Sequence, residues 1–335
     1  MRQVAAAAAD AGARPAPRAW LAATVLVTLG ALAGAVLMAP PASASPGLGL
    51  TWLLFVGSSA HVAATGWLYA LPDVRARERP VRLVYAPIGL VGAAAVVSAL
   101  VPSRRLAWLL LPYFAWQFVH FQKQNLGMAA LAASSRGVAG VGSMERRALA
   151  VAGLAGAAAL LTRPAVVQLD VDPGLGPLRP IALAVFRGAV ATGAWLVAGR
   201  PRRDRPAAFC VVYATSLCFS LPVFVFDSPY AALGGMTIAH GLQYLLLVGM
   251  VAAGGGRGRR QLVRVIVLCN VALIGGAALN AASHLHAGDA SARFVFGAAL
   301  GLAMAHFVVD AGIWRLRDPV PRRLLSTYVP YLVRR

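Results

Sequence analysis

What most restricts this chain is a succession of long apolar runs, with nearly all of its arginines in the short segments between them. Ten runs read as candidate spans: Trp20 to Met38, Leu50 to Leu71, Leu83 to Val101, Leu106 to Ala133, Ala148 to Leu161, Ile181 to Ala198, Ala207 to Phe226, Ala231 to Ala253, Leu262 to Ser283 and Phe294 to Leu316. About 20 apolar residues cross the hydrocarbon as a helix. Only 13% of the 335 residues are charged, against about 25% in a soluble domain. The expected fold is an all-α polytopic transmembrane helical bundle of about ten spans. The expected organisation is a basic tail over residues 1–19, a transmembrane helical domain over 20–316 and a second basic tail over 317–335.

The net charge of +20 reads as a topology signal. With the N-terminus inside, about 24 arginines fall on the cytoplasmic side and about five outside, as the positive-inside rule requires. Both termini are therefore expected in the cytoplasm of a multi-pass cell-membrane protein, with the lipid bilayer as its first partner. Nucleic acid is excluded as a partner, because the arginines lie in loops on one side and form no separate basic domain. Oligomeric state is open. Ala42-Ser43-Ala44 after the first run has the small-residue form of a signal-peptidase site, but that run is long for a signal segment, so a retained helix is the preferred reading. Cys210, Cys218 and Cys269 lie inside apolar runs without a C-x-x-C, which argues against disulfide and zinc-finger frameworks. No dinucleotide fingerprint or phosphate loop is present.

The fourth run departs from the pattern. Tyr113-to-Gly127 reads YFAWQFVHFQKQNLG, with Tyr113, Gln117, His120 and Gln124 spaced to share one helical stripe. Lys123, in the same stretch, is the chain's only lysine. Polar groups at membrane depth face a bundle interior or a wet cavity, so this helix is expected to wall the functional site. His61, His240 and His306 lie at a similar depth on other runs, all read as passing from outside to inside, and Arg187 shares that direction. Gly57, Ser58, His61 and Thr65 share a face, as do Met236, His240, Gln243 and Tyr244, and Ala299, Ala303, His306 and Asp310.

Converging imidazoles suit a transition metal such as iron, copper or zinc, or a haem between two helices. Asp310, four residues from His306, is placed either to orient that ring or to act as a ligand. The competing reading of each histidine alone is an interhelical hydrogen bond. Lys123 is then a counter-ion for Asp310, and Arg187 reaches toward the interface. His284 and His286, at a span exit, read as solvated.

Four midplane histidines on separate helices resemble the bacterial membrane β-carotene dioxygenases of the Brp/Blh type. The local matches are His120-Phe121 and the pairing of His306 with Asp310. The family's Pro-His-Gly motif has no counterpart at His61, and its His-x-x-x-His reads His240 and then Tyr244 here. The resemblance implies a four-histidine iron site, without the carotenoid substrate.

The expected function is that of a metal-dependent membrane oxidoreductase or oxygenase acting on a hydrophobic, lipid- or isoprenoid-like small molecule. His61, His120, His240, His306 and Asp310 form the metal set, with iron favoured. Lys123, Gln124 and Tyr244 supply protons or bind a polar group. The alternatives are a haem- or quinone-linked electron-transfer protein and a proton-coupled transporter using Lys123, Asp310 and Arg187. The absence of a repeat and of helices broken around the site weighs against the transporter.

Overall fold

The computed structural model describes residues 17–41, 44–71, 74, 79–254, 258–313 and 318–333, and all regular structure among them is helical. The helices are α1 Pro17–Met38, α2 Leu48–Leu68, α3 Val81–Leu100, α4 Ser103–Arg136, α5 Ser143–Leu161, α6 Arg179–Ala198, α7 Ala207–Leu217, α8 Leu221–Val225, α9 Tyr230–Ala253, α10 Arg259–Ala287, α11 Ala290–Ile313 and α12 Pro319–Tyr328. The expected tail before residue 17 and most of the Ala42-Ser43-Ala44 motif lie outside the described residues.

Seven of these helices, α1, α2, α3, α6, α9, α10 and α11, are long and apolar enough to cross a membrane. The protein is thus an all-α, multi-pass helical bundle with about seven apolar spans, where ten were expected. The three other runs fall short for identifiable reasons. Polar side chains from Gln117 to Asn125 interrupt α4, and α5 opens on Glu145, Arg146 and Arg147. The run from Ala207 splits at residues 218–220 into α7 and α8. The sequence placed a kink at Pro222. The break comes four residues earlier, because the proline ring crowds the carbonyl of Cys218 and offers it no N–H.

Small residues set how the helices approach. Gly297 and Gly301 of α11 lie against the backbone of α3, where an added Cβ would sit 2.3 Å from the Ala94 oxygen and 2.5 Å from the Val91 Cα. Gly241 of α9 meets Gly57 of α2 in the same way, with 2.4 Å from a Cβ to the Gly57 oxygen. Gly276 of α10 lies against Ala60 of α2. Without a hydrophobic drive between helices in lipid, such close backbone contact is what holds them together. The centre of the bundle is α9, with 61% of its apolar window buried against 17–44% for the other spans.

The α-helical pattern is widened at four π turns: Val56–Ala60 in α2, Val81–Tyr85 in α3, Tyr230–Gly234 in α9 and Val271–Gly275 in α10. After α11 the chain folds back as α12, which buries Leu324 and Leu325 and exposes Arg322 and Arg323. An Arg79–Asp318 ion pair at 3.0 Å ties its start to the segment before α3. The segment expected as a basic tail is thus held against the bundle by an amphipathic face.

Candidate metal centre

Four helices each deliver one histidine to a single point: His61 from α2, His120 from α4, His240 from α9 and His306 from α11. None is more than 2% exposed. The Gly57–Gly241 contact brings α2 onto α9 one turn before His61 and directly beside His240, so the backbones touch where the rings must meet. The π turn before His61 aims the Gly57 and Ser58 carbonyls toward its ring, short of well-formed hydrogen bonds.

The rings close a circuit, with centroid separations of 5.0 Å for His61–His240, 4.8 Å for His240–His120, 5.0 Å for His120–His306 and 4.9 Å for His306–His61. Across the circuit, His240 and His306 are 6.3 Å apart. Two flanking aromatics fix the ring planes: Phe307 stacks on His120 at 4.5 Å and Phe121 stacks on His240 at 4.3 Å.

This spacing has a simple chemical reading. With metal–nitrogen bonds of about 2.0–2.1 Å, two imidazoles on one tetrahedral ion have centres roughly 5 Å apart. The donor atoms of His61, His240 and His306 lie within 4.8 Å of one another, as do those of His120, His306 and Asp310. Asp310 Oδ2 is 3.8 Å from His120 Nε2. Among the buried nitrogens, His120 Nε2, His306 Nε2 and both nitrogens of His240 make no hydrogen bond. Several orphaned buried acceptors at one point are costly unless a cation satisfies them. The donor set therefore fits a transition-metal ion.

The orienting partner of His306 is Thr65, whose Oγ1 is 2.6 Å from Nδ1 and 2.8 Å from the Tyr244 hydroxyl. Asp310, expected either to orient His306 or to act as a ligand, lies beside His120 and within the second donor set with both histidines. A neutral imidazole that serves a metal through Nε2 carries its proton on Nδ1. The Nδ1–H then donates to Thr65, and Thr65 donates onward to Tyr244. Thr65→Val is expected to lower metal affinity about 10- to 100-fold while Thr65→Ser retains it. A competitive metal titration checks this, and equal loss in both variants would mean Thr65 only fills space.

A second layer of amides braces the circuit. Gln124 donates to the His240 carbonyl at 2.9 Å and to Gln243 Oε1 at 3.0 Å, and Gln243 donates to Thr28 of α1 at 2.7 Å. Gln122 reaches the Leu149 carbonyl on α5 at 2.8 Å. The polar stretch of α4 thus joins α1, α5 and α9. Thr65 and Gln243 were visible only as neighbours on a histidine's face. Thr28 and Phe307 carried no role, although His306-Phe307 repeats the His120-Phe121 pairing.

Two chambers meet this layer from different sides. One, of about 770 Å³, is almost wholly apolar and lies among α2, α3, α10 and α11. It runs from Val295 to Val309, about 21 Å along α11, and reaches Thr65 and His306. The other, of about 510 Å³, is lined by Lys123, Gln124, Arg146, Gln243, Tyr244 and Asp310 among apolar residues of α4 and α9.

Other expected partners are not brought together. Lys123 and Asp310 border the same chamber but form no ion pair, so the counter-ion reading fails. Arg187 is exposed on α6, which packs on α5 and α7, away from the histidines. His284 and His286 are exposed and bond only to nearby residues.

No family model matches the chain, and neither a curated protein nor a solved structure matches it. The resemblance to Brp/Blh-type dioxygenases therefore extends to the broad class alone, a membrane protein with a buried histidine cluster able to coordinate a metal.

Proposed function

We propose that the protein is an integral membrane metalloenzyme, an oxidoreductase of the oxygenase kind, acting on a hydrophobic small molecule drawn from the bilayer. One observation carries this reading: a circuit of four buried imidazoles at the end of an apolar chamber. His61, His120, His240 and His306 would hold the ion, with Asp310 beside them. Iron is the preferred ion, because the chamber walls suit a substrate with few polar groups for zinc to polarise. When bound, iron would supply one-electron and dioxygen chemistry. Haem suits the site less well, since a porphyrin between any two of these rings needs the space the other two fill.

The remaining roles belong to this chain's own groups. Thr65 and Tyr244 hold the His306 tautomer, and Tyr244 exchanges protons with the polar chamber. Gln124 fixes α9 at His240 through its carbonyl. Lys123 binds a polar group. Elemental analysis and an absorption spectrum of the detergent-purified protein test the reading. Stoichiometric iron without a Soret band supports it, and purified, reconstituted protein that takes up no metal overturns it.

We further propose ten crossings, with α4, α5 and the α7–α8 pair completing the seven apolar spans, and both termini in the cytoplasm. The support is the arginine distribution and the presence of His120 on α4 at the level of the other histidines. Reporter fusions after Arg147, Arg205 and the C-terminus are expected to behave as cytoplasmic and one near Asp172 as external. A cytoplasmic signal at Asp172 would refute this topology.

A further inference from the structure

The polar chamber holds a charge that nothing among the described residues neutralises. Lys123 is the chain's only lysine; it is exposed and lines the chamber, and among the described residues it has neither a hydrogen-bond nor an ion-pair partner. A lone cation on a membrane helix is expensive and calls for a counter-charge. Arg146 borders the same space from the first turn of α5. Its Nε donates to the Val141 carbonyl at 2.8 Å, which leaves both terminal amino groups of the fork for another acceptor. Asp310 at the inner end is engaged next to His120. Between these polar groups the walls are apolar, formed by Leu126, Met128, Leu131 and Leu247.

We propose that this chamber is a binding site for a small organic carboxylate, distinct from the hydrophobic molecule of the apolar chamber. A planar carboxylate matches the arginine fork and accepts from an ammonium, and a short hydrocarbon body suits the apolar walls. The chamber extends from Arg146, beside the 137–142 loop, toward Tyr244 and Asp310 at the histidines. The ligand enters at that loop end and stops beside the metal centre. The protein then receives two reactants by separate routes, one through lipid and one from water.

Calorimetric titration of the detergent-purified protein tests this, with succinate as a soluble carboxylate, decanoate as a membrane-borne one and inorganic phosphate as a non-carboxylate anion. Binding of a carboxylate in preference to phosphate is expected. Its affinity should fall roughly tenfold or more in Lys123→Met and in Arg146→Gln, and survive in Lys123→Arg. Succinate binding is expected for entry from water, and decanoate binding alone would place the source in the lipid and overturn the separate aqueous route. Absence of carboxylate binding, phosphate binding as tightly, or indifference to both charge-removing substitutions each overturns the proposal. Arg146→Gln, at the bundle edge, keeps the test open if Lys123→Met fails to fold. The same titration on chelator-stripped protein separates the two sites. Carboxylate binding there upholds the anion site without any metal, and metal-loaded protein that binds no carboxylate refutes the anion site alone.

Discussion

Replacing His306 with alanine is expected to strip the protein of metal, lowering affinity by more than about 100-fold. His306 is the one imidazole common to both donor sets, the first shared with His61 and His240 and the second with His120 and Asp310. Its loss leaves neither set with three members, whereas His61→Ala or His120→Ala each leaves one set whole. Asp310→Asn keeps the shape of the side chain and removes its charge, so a loss of about 10- to 100-fold is expected from that change. Adding Lys123→Met to Asp310→Asn should restore nothing, since no ion pair joins the two residues. Metal content per chain and detergent melting temperature, measured on these variants, check the ranking. Full metal occupancy in His306→Ala would sink the proposed centre.

Loss of the Glu145 carboxylate is the second large effect expected, and it concerns stability. Glu145 stands at the start of α5, ahead of its apolar run, where Arg200 meets it through Nε at 2.6 Å and through a second nitrogen. The Gly142 N–H also donates to it at 2.6 Å. Arg200 further donates to the carbonyls of Ala139, Gly140 and Asp204, so one guanidinium closes the loops before α5 and after α6. Burial pushes the Glu145 carboxyl upward. The Arg200 and Gly142 hydrogen bonds, with the charge of Arg146, outweigh that and hold it below the ordinary glutamate range. A carboxylate lowered in the folded state stabilises fully above its unfolded-state pKa, and the contribution is lost as pH falls through the folded-state value. Glu145→Ala should cost about 3 kcal/mol, the lower end for a broken buried pair because the bundle end is near solvent. Melting temperatures between about pH 2 and pH 7 are expected to differ by a constant amount above the ordinary glutamate pKa of about 4.3 and to converge for wild type and variant only below it. A constant difference across that range would assign the effect to packing.

The histidine depths were legible because they depend only on counting residues from a loop, and His61, His120, His240 and His306 could be set at one level without knowing which helices touch. Their closure into a circuit was not legible. It depends on Gly57 meeting Gly241, and a glycine in an apolar run gives no sign of which neighbour it will approach. Asp310 was read with His306 because i and i+4 share a face, but the tertiary neighbour His120 took it and Thr65 took the vacated place. The three runs that fell short as spans show the limit of hydropathy. The buried amides that brace the site lower the apolar score of α4 for the same reason that they make it the wall of the site. The four π turns left no trace in the sequence pattern, since one extra residue per turn is invisible where nearly every residue is apolar.

Among those turns, the one at Val56–Ala60 ties the length of α2 to the integrity of the centre. Gly57 must face α9 and His61 must face the other three histidines, and the wide turn between them is what lets one helix meet both demands. The turn holds one residue more than an α turn, so deleting a single residue there returns the segment to plain α geometry with its two halves still in phase, whereas adding one rotates them against each other by about 100°. Either the glycine contact or the imidazole would then lose its place. This stretch of α2 therefore behaves as a phase-setting spacer, tolerant of changed side chains at the lipid surface and of the loss of one residue, and intolerant of a gain.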